Sequence, residues 1–282
     1  MITIGIVGNG FVGSATQQLL CPDINILCYD INPKLCYPLG TTINDLNQCS
    51  LIFVSVPTPM NIDGSCHTQI VERVVQELHM VVDENKTAII VRSTVPIGTA
   101  DKLKCFFMPE FLTEKNFIKD FKSCEKWIFG VYENSNFPFK DTITTLFKSA
   151  KDNGCIDSNE LVFLSNMEAE TIKYMRNTFL ATKVGFANEW ATFCNKKGIN
   201  YENVRVNAFS DKRIGLSHTD VPGHDGKLGF GGTCLPKDIA SSIYQMEQQH
   251  IKPFILAAVQ ERNDKNDRWE RDWMKDEGRA VI

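Results

Sequence analysis

The sequence lacks the features that mark several classes of protein. Its 282 residues contain no apolar run near the ~20 residues that a membrane-spanning helix needs. The 30 basic residues are outnumbered by 34 acidic ones, so no excess of positive charge attracts nucleic acid or anionic lipid. The N-terminus has no basic segment followed by an apolar leader, which is the pattern of a secretion signal. We therefore expect a cytoplasmic protein whose partners include neither nucleic acid nor membrane.

The ten cysteines are widely and irregularly spaced, and no two of them form a Cys-x-x-Cys pair. Structural zinc sites usually contain such pairs, and disulfide-stapled domains are shorter and denser in cysteine. We therefore expect no metal site and no disulfide framework. Most of these thiols should be buried or idle in a reducing compartment, and Cys234 is the exception for reasons given below.

The first 165 residues alternate short apolar runs, rich in β-branched residues, with amphipathic stretches. This alternation predicts an α/β fold with a Rossmann-like, doubly wound parallel sheet over residues 1–165. The predicted strands are 2–7, 25–30, 51–56, 87–92, 105–108, 126–131 and 160–164, and the predicted helices among them are 11–20 and 68–82.

The pattern changes after Ser165. Ser165 and Glu168 fit a capping box, and Gly198 fits a C-terminal cap, so one long helix is predicted over residues 167–197. Shorter helices are predicted at 201–209, 235–249 and 253–273. Residues 166–282 should therefore form an all-α central domain, entered through the long connecting helix.

The long helix carries apolar residues on more than one face, including Phe186, Trp190 and Phe193. One domain cannot easily bury all of these side chains. We therefore predict that the chain forms a symmetric homodimer packed through this helix.

Gly8-Asn9-Gly10-Phe11-Val12-Gly13 is a GxGxxG motif directly after the first predicted strand. In such a motif Gly8 allows a tight turn, Gly10 lets the backbone approach a pyrophosphate, and Gly13 lets helix and strand pack closely. Asp30 ends the second predicted strand, about 20 residues on, where an acid binds ribose hydroxyls and repels a 2′-phosphate. The motif predicts a dinucleotide-binding domain that prefers NAD to NADP.

Two further turns carry a threonine beside a rigid proline at the end of a predicted strand, Thr58 in Val56–Pro59 and Thr94 in Ser93–Pro96. Ligands bind at the C-terminal ends of strands in open α/β sheets, so both threonines are candidates for ligand contact. Either turn, taken alone, is equally consistent with loop structure.

Two pairs of residues lie four positions apart. Glu110 and Glu114 follow a short predicted strand, and both would face the same way if this segment turns helically. Lys173 and Asn177 share a face near the start of the long helix. Lys173 adjoins apolar residues, and partial burial would lower its pKa into a range suited to proton transfer.

Gly229–Asp238, GFGGTCLPKD, places flexible backbone before a cysteine at the start of a predicted helix. The helix N-terminus and Lys237 would both lower the pKa of the Cys234 thiol and favour the thiolate. Asp238 follows four residues later, where it would hold a water molecule or a lysine. This arrangement is typical of an activated nucleophile.

Taken in order, these motifs resemble those of the UDP-glucose/GDP-mannose dehydrogenase family. The similar segments are GNGFVG, VPTP, STVPIGT, PEFLTE, the long helix with IKYMRNTFLA and FANE, RIG at 213–215, and GFGGTCLPKD. The resemblance implies an NAD-dependent enzyme of polysaccharide biosynthesis that oxidises the C6 alcohol of a nucleotide sugar to an acid in two steps. Family members usually continue into a third domain that covers the nucleotide, so we expect this chain to be a short form without it.

The resemblance also implies a role for individual residues. Cys234 would attack the aldehyde formed in the first oxidation, and the thiohemiacetal would lose a second hydride to give a thioester, which water hydrolyses. Lys173 and Asn177 would stabilise the oxyanion, while Glu110 would assist hydrolysis. Asp238 would position water and protons, and Thr94 would lie near the reacting carbon.

The binding residues implied by the resemblance form two sets. The NAD contacts would be Gly8, Gly10, Val12, Gly13, Asp30, Thr58, Thr94, Glu114 and Lys237. The substrate contacts would be Glu110, Phe111, Leu112, Lys173, Asn177, Arg213 and Gly231. Arg213 matches an arginine that reaches the sugar nucleotide, in many family members from the neighbouring subunit.

Two alternatives remain open. A 3-hydroxyacid or 6-phosphogluconate type of dehydrogenase also joins a Rossmann domain to a helical domain with a lysine and an asparagine on a long helix. Such an enzyme has no need of a nucleophilic cysteine, so Cys234 argues against it. A non-catalytic NAD-binding module is the second alternative, and the presence of all the catalytic residues together argues against that.

Overall fold

The computed structural model describes all residues, Met1–Ile282, and the chain divides into two compact units. Unit 1 comprises Met1–Thr58 and Thr68–Lys173, and unit 2 comprises Pro59–His67 and Tyr174–Ile282. The domain boundary after residue 165 stays a prediction. None of the helices is both long enough and apolar enough to cross a membrane.

Unit 1 contains the predicted Rossmann-like sheet. Seven strands lie in the order β2-β1-β3-β4-β5-β6-β7, and neighbouring strands are parallel except β5 and β6, which are antiparallel. The strands are β1 (Ile2–Val7), β2 (Ile24–Tyr29), β3 (Leu51–Val54), β4 (Ala88–Val91), β5 (Phe106–Phe107), β6 (Lys126–Val131) and β7 (Glu160–Ser165). The doubly wound α/β fold is therefore confirmed, with one reversed strand pair in a sheet predicted to be parallel.

Both faces of this sheet are buried. Leu51 and Phe53 of β3 belong to the apolar core on one face, and Ile52 and Val54 belong to the core on the other. A strand covered on both faces reads as a continuous apolar run, which is why these strands stand out in the sequence. The helices of unit 1 are α1 (Phe11–Thr16), α2 (Gln69–Val81), α3 (Thr99–Lys102), α4 (Phe117–Lys122) and α5 (Phe139–Asp152).

The long helix, α6, runs over Asn166–Lys197, and its first residues belong to unit 1 and the rest to unit 2. Its start is the predicted capping box, in which the Ser165 N–H donates to the Glu168 carboxylate at 2.8 Å and the Glu168 N–H to the Ser165 hydroxyl at 3.3 Å. Gly198 ends the helix with φ of +69°, a conformation that glycine adopts without strain. Both predicted ends are therefore confirmed.

Unit 2 adds α7 (Tyr201–Ala208), α8 (Leu235–Gln248) and α9 (Phe254–Arg262). Its largest apolar cluster joins Ala181 of α6 to Ile239 of α8 and to Phe230 in the loop before α8. The C-terminal end of the chain pairs with the segment around Met60 in the same unit: the Met60 N–H donates to the Ala280 carbonyl at 2.8 Å.

The predicted helix at 253–273 is wrong in its second half. α9 ends at Arg262, a single π-helical turn follows over Asn263–Asp267, and a short 3-10 helix lies at Asp272–Lys275. The alternating charges of this segment read as a solvated helical face. In the fold, however, Arg268 is buried and forms ion pairs with Asp225 and Asp272 at 2.6 and 2.9 Å, so this part of the segment does not face solvent.

Candidate active site

The glycine turn of unit 1 has the geometry that its motif predicts. Gly8 has φ of +86°, and a Cβ atom there would lie 2.6 Å from the Ser55 carbonyl oxygen. A Cβ atom at Gly13 would lie 2.0 Å from the Gly8 carbonyl oxygen, so only glycine lets α1 pack against this turn. At Gly10 nothing lies within 4 Å of a Cβ position, which leaves the backbone open to a ligand.

Asp30 follows β2 and faces the same turn. Its two carboxylate oxygens accept the N–H groups of Asn9, at 2.7 Å, and of Asn32, at 2.8 Å. Each carboxylate oxygen has a second lone pair, so these bonds fix the side chain and still leave acceptors for ribose hydroxyls. Val12, in the first turn of α1, is half-buried.

Thr58 and Thr94 are both buried in unit 1, at the ends of the turns that follow β3 and β4. The Ser93 hydroxyl donates to the Val56 carbonyl at 2.6 Å and ties the two turns together. The structure therefore holds these two turns in a fixed relation at one edge of the sheet.

Glu110 and Lys173 form a buried ion pair in unit 1, with exposed fractions of 6% and 3%. Lys173 Nζ lies 2.6 Å from Glu110 Oε1 and also donates to the Glu110 main-chain carbonyl at 2.7 Å. Burial alone would raise the pKa of Glu110, but the Lys173 ammonium, with help from the Leu112 N–H and from Arg92, lowers it overall. The carboxylate is therefore held ionised, the state in which it can accept a proton.

The idea that Glu110 and Glu114 share a helical face is wrong. Residues 108–113 have no helical structure, α4 begins only at Phe117, and Glu114 is exposed while Glu110 is buried. Lys173 binds both the carboxylate and the main-chain carbonyl of Glu110 in this non-helical segment. Phe111 and Leu112 are half-buried, and the Lys173 ammonium lies 5.6 Å from the centre of the Phe111 ring.

Arg92 lies near Glu110 and belongs to none of the sequence motifs. It is fully buried after β4, donates to the Thr16 hydroxyl, and lies 5.6 Å from the centre of the Phe121 ring. Burial lowers its pKa to about 10, opposed by the charge of Glu110. The sequence does contain a sign of this burial: Arg92 ends an otherwise apolar predicted strand, and a charged residue at such a position needs a buried partner.

In unit 2, Cys234 is the N-cap residue of α8, and its carbonyl accepts the Asp238 N–H at 3.0 Å. Pro236 occupies the first turn, where it costs no helical hydrogen bond. Burial alone would lower the pKa of Lys237, but Asp238 and then Cys234 and Cys66 raise it overall. Lys237 therefore stays protonated, and its positive charge acts on the Cys234 thiol at the N-terminus of α8.

Asp238 is buried, with an exposed fraction of 1%, and each of its carboxylate oxygens has a partner. Lys237 Nζ lies 2.6 Å from Oδ1, and Asn177 Nδ2 donates to Oδ2 at 2.6 Å. The structure thus brings Asn177, Lys237 and Asp238 together beside Cys234 in unit 2. Lys173 and Asn177 lie one turn apart on α6.

The two remaining predicted residues have different surroundings. Arg213 lies on the loop after α7, where its side chain is 88% exposed and pairs with Asp211. Gly231 lies against the Arg268 guanidinium, and a Cβ atom there would be 2.6 Å from Arg268 Cζ.

Comparisons with known proteins agree with these motifs. Residues 35–151 match the NAD binding domain of the UDP-glucose/GDP-mannose dehydrogenase family, and residues 167–265 match the central domain of that family. The UDP-glucose 6-dehydrogenase of Pseudomonas aeruginosa is 32% identical over 235 residues, which cover 77% of this chain and 49% of that protein. The chain thus spans about half the length of the curated relatives that it matches.

Solved structures share the fold. A UDP-glucose dehydrogenase from the archaeon Pyrobaculum islandicum superposes with a TM-score of 0.77 and 24% identity, covering 94% of this chain and 68% of that one. The 3-hydroxyisobutyrate dehydrogenase of Mycobacterium tuberculosis gives 0.68 at 13% identity, covering 94% of this chain and 93% of that one. At these identities the likeness concerns the fold alone.

Proposed function

The chain belongs to the UDP-glucose/GDP-mannose dehydrogenase family, and we propose that it oxidises the C6 alcohol of a UDP-glucose-like nucleotide sugar to the uronic acid. The observation that carries this proposal is Cys234 at the N-terminus of α8, beside an ammonium group that it shares with Asp238. A single alcohol-to-aldehyde oxidation requires no thiolate, whereas a two-step oxidation through a thioester does.

The chain carries the NAD-binding domain of this family, and its residues fit the cofactor. The open backbone at Gly10 would accept the pyrophosphate, and Asp30 would bind the ribose hydroxyls. The remaining proposed contacts are Gly8, Val12, Gly13, Thr58, Thr94, Glu114 and Lys237. When bound, NAD accepts one hydride in each of the two oxidations.

In the proposed mechanism, the Cys234 thiolate forms a bond to the aldehyde carbon of the intermediate. The carbonyl oxygen becomes an oxyanion, which Lys173 and Asn177 stabilise by donating hydrogen bonds. After the second oxidation the carbon is a thioester. Glu110 then takes a proton from water, whose oxygen attacks the thioester carbon, and the C–S bond breaks to release the acid and to restore the Cys234 thiolate. Asp238 holds the ammonium and amide groups around the nucleophile.

Substrate contact is proposed for Phe111, Leu112 and Gly231, with Arg213 reaching the site of a neighbouring subunit. The decisive experiment is NADH production with a panel of UDP-sugars, GDP-sugars and free sugars. Two NADH per substrate, with the uronic acid as product, is the expected result. One NADH per substrate would favour the alternative, a single-step dehydrogenase of the 3-hydroxyacid or 6-phosphogluconate type. Binding of NAD with no turnover on any sugar would favour a non-catalytic module.

The assembly that we propose is a cytoplasmic homodimer packed through α6. Phe186, Trp190 and Phe193 remain 48–55% exposed and stack edge-on against one another, with ring centres 6.3 and 5.8 Å apart. Packing this aromatic cluster against the same cluster of a second subunit would remove a large apolar area from contact with water, which would stabilise the dimer. Light scattering at micromolar concentration should report twice the chain mass, and a monomeric mass would refute the dimer.

A further inference from the structure

The loop before Cys234 is held by buried side chains that lie far from it in the sequence. Asn263 bonds both main-chain groups of Phe230: the Phe230 N–H donates to Oδ1 at 2.8 Å, and Nδ2 donates to the Phe230 carbonyl at 3.0 Å. The Gly229 N–H donates to Asn188 Oδ1 at 3.2 Å. A side-chain amide that satisfies both polar groups of one residue replaces a neighbouring strand, so the loop backbone is fixed without regular secondary structure.

The glycines of this loop are explained by the same contacts. A Cβ atom at Gly229 would lie 2.4 Å from Asn263 Oδ1, and Gly231 leaves room for the Arg268 guanidinium. Glycine at these two positions therefore lets the Asn263 and Arg268 side chains pack directly against the loop backbone.

Asn263 also begins the π-helical turn that replaces the predicted α-helix. The Arg268 N–H donates to the Asn263 carbonyl at 2.8 Å, five residues back, and both residues point their side chains at the glycine loop. π-turns are rare and occur frequently at functional sites. The departure from the helical pattern thus coincides with the two residues that grip the loop.

We propose that Asn263 is a positioning residue for the nucleophile, which acts by fixing the Phe230 backbone and, through it, Gly231 and Cys234. This inference rests on the proposed function, because it presumes that Cys234 is the nucleophile. Asn263 is 1% exposed and its amide is bonded to Phe230, so the proposed role is to position the loop and not to contact the substrate. Its effect passes through four residues of backbone to the Cys234 sulfur at the N-terminus of α8.

The test is the pH profile of Cys234 alkylation by iodoacetamide, measured by peptide mass spectrometry on the full chain. Asn263→Leu keeps the side-chain size and removes both hydrogen bonds to Phe230. We expect alkylation of Cys234 at pH 7 to slow roughly tenfold, with the midpoint of the profile shifted upward, as the loss of a buried hydrogen bond allows the thiol to leave the helix terminus. Cys36 in unit 1 is the internal reference and should react as in the wild type.

Two further variants keep the experiment decisive. Asn188→Leu removes the bond to Gly229, together with a bond within α6 in which Asn188 Nδ2 donates to the Val184 carbonyl at 2.8 Å. It should shift the profile in the same direction by less, and it also carries the test if Asn263→Leu does not fold. Tyr201→Phe removes one hydrogen bond from the Tyr201 hydroxyl to the Thr219 carbonyl, elsewhere in unit 2, and should leave the profile unchanged.

The outcomes separate this inference from the proposed function. A wild-type Cys234 that reacts no faster than Cys36 would overturn the proposed nucleophile, and this inference with it. A reactive wild-type Cys234 with the same profile in Asn263→Leu and Asn188→Leu, whatever their thermal midpoints, would overturn the positioning role alone. A shift shared by Tyr201→Phe would also overturn it, because the effect would then follow stability.

Discussion

The two units hold their charged site residues in different ways. In unit 1, Lys173 and Glu110 are 63 positions apart, and the lysine binds both the carboxylate and the main-chain carbonyl of the glutamate. In unit 2, Lys237 and Asp238 are neighbours, and the lysine charge acts on Cys234 as well as on Asp238. The Lys173 cation keeps the Glu110 carboxylate ionised, whereas the Lys237 cation would favour the Cys234 thiolate in the proposed mechanism.

Removing the Cys234 thiol of unit 2 should have the largest effect on turnover. Cys234→Ser should fold and bind NAD normally, because serine is close to cysteine in size. Its turnover to the acid should fall by about a thousandfold or more, since a hydroxyl lacks the low pKa of a thiol at a helix start. The steady-state rate of uronic acid formation measures this, because the first oxidation alone still releases NADH.

Cys194→Ser is the matched control, because Cys194 is buried on α6 with no role in the proposed mechanism. It should cost little activity. Turnover of Cys234→Ser at the wild-type rate would refute the thioester mechanism and favour a one-step alcohol dehydrogenase.

Breaking the ion pair of unit 1 should have the largest effect on stability. Lys173→Met leaves the Glu110 carboxylate buried without its counter-ion, and it should lower the free energy of unfolding by about 3–5 kcal/mol. Urea denaturation measures this, and adding Glu110→Leu should restore part of the loss, because the buried carboxylate is then gone while Arg92 loses a neighbouring negative charge.

Lys126→Met is the control for that comparison. Lys126 forms an exposed ion pair with Glu160 at 2.9 Å in the same unit, and water screens this pair. Its loss should not change the urea midpoint measurably. Equal losses for Lys126→Met and Lys173→Met would show that burial does not set the strength of these pairs.

Glu170 should give unit 1 a pH dependence opposite in sign to that of Glu110. Its carboxylate accepts the N–H groups of Gly98 and Ala100, at 2.5 and 2.8 Å. Burial raises its pKa from 4.5 to about 7, against these two bonds and with a contribution from Asp101. The folded state then retains a proton that the unfolded state has lost, so the free energy of unfolding should fall as pH rises from 4.5 to 7 and level off above it.

The size of that fall is about 3 kcal/mol for a shift of this order. Glu170→Gln should remove it, which urea unfolding at pH 5 and pH 8 would show. Glu110, with its pKa lowered, stabilises the fold above its unfolded value and loses this contribution as pH falls. A difference between the two pH values that persists unchanged in Glu170→Gln would assign the dependence to another group.

The smallest expected effect concerns cofactor choice in unit 1. Asp30→Asn keeps the shape of the side chain and removes the charge that repels a 2′-phosphate. The ratio of NADP to NAD dissociation constants should fall by about tenfold, or ~1.4 kcal/mol. Asp23→Asn is the control, because Asp23 precedes the opposite end of β2 and should leave the ratio unchanged. Equal NAD and NADP affinities in the wild type would refute the role of Asp30.

The sequence predicts best where structure depends on neighbours along the chain. The strands, the turn at Gly8 and both ends of α6 follow from periodicity, glycine placement and capping residues. α5 was not predicted, although Phe139, Ile143 and Leu146 recur at helical spacing in it. The sequence predicts one helix over 253–273, because the pattern of charged residues does not distinguish side chains that face water from side chains that form buried ion pairs.

Local patterns in the sequence are enough to predict a Rossmann-like sheet before a helical region, and a cysteine that begins a helix beside a lysine. Tertiary structure decided which charges meet. The pairing of Lys173 with Glu110, the burial of Arg92 and the grip of Asn263 on Phe230 each join residues far apart in the chain. The free energy of burying a charged or amide group depends on which protein group replaces the water bound to it. That protein group is brought into contact only when the chain folds.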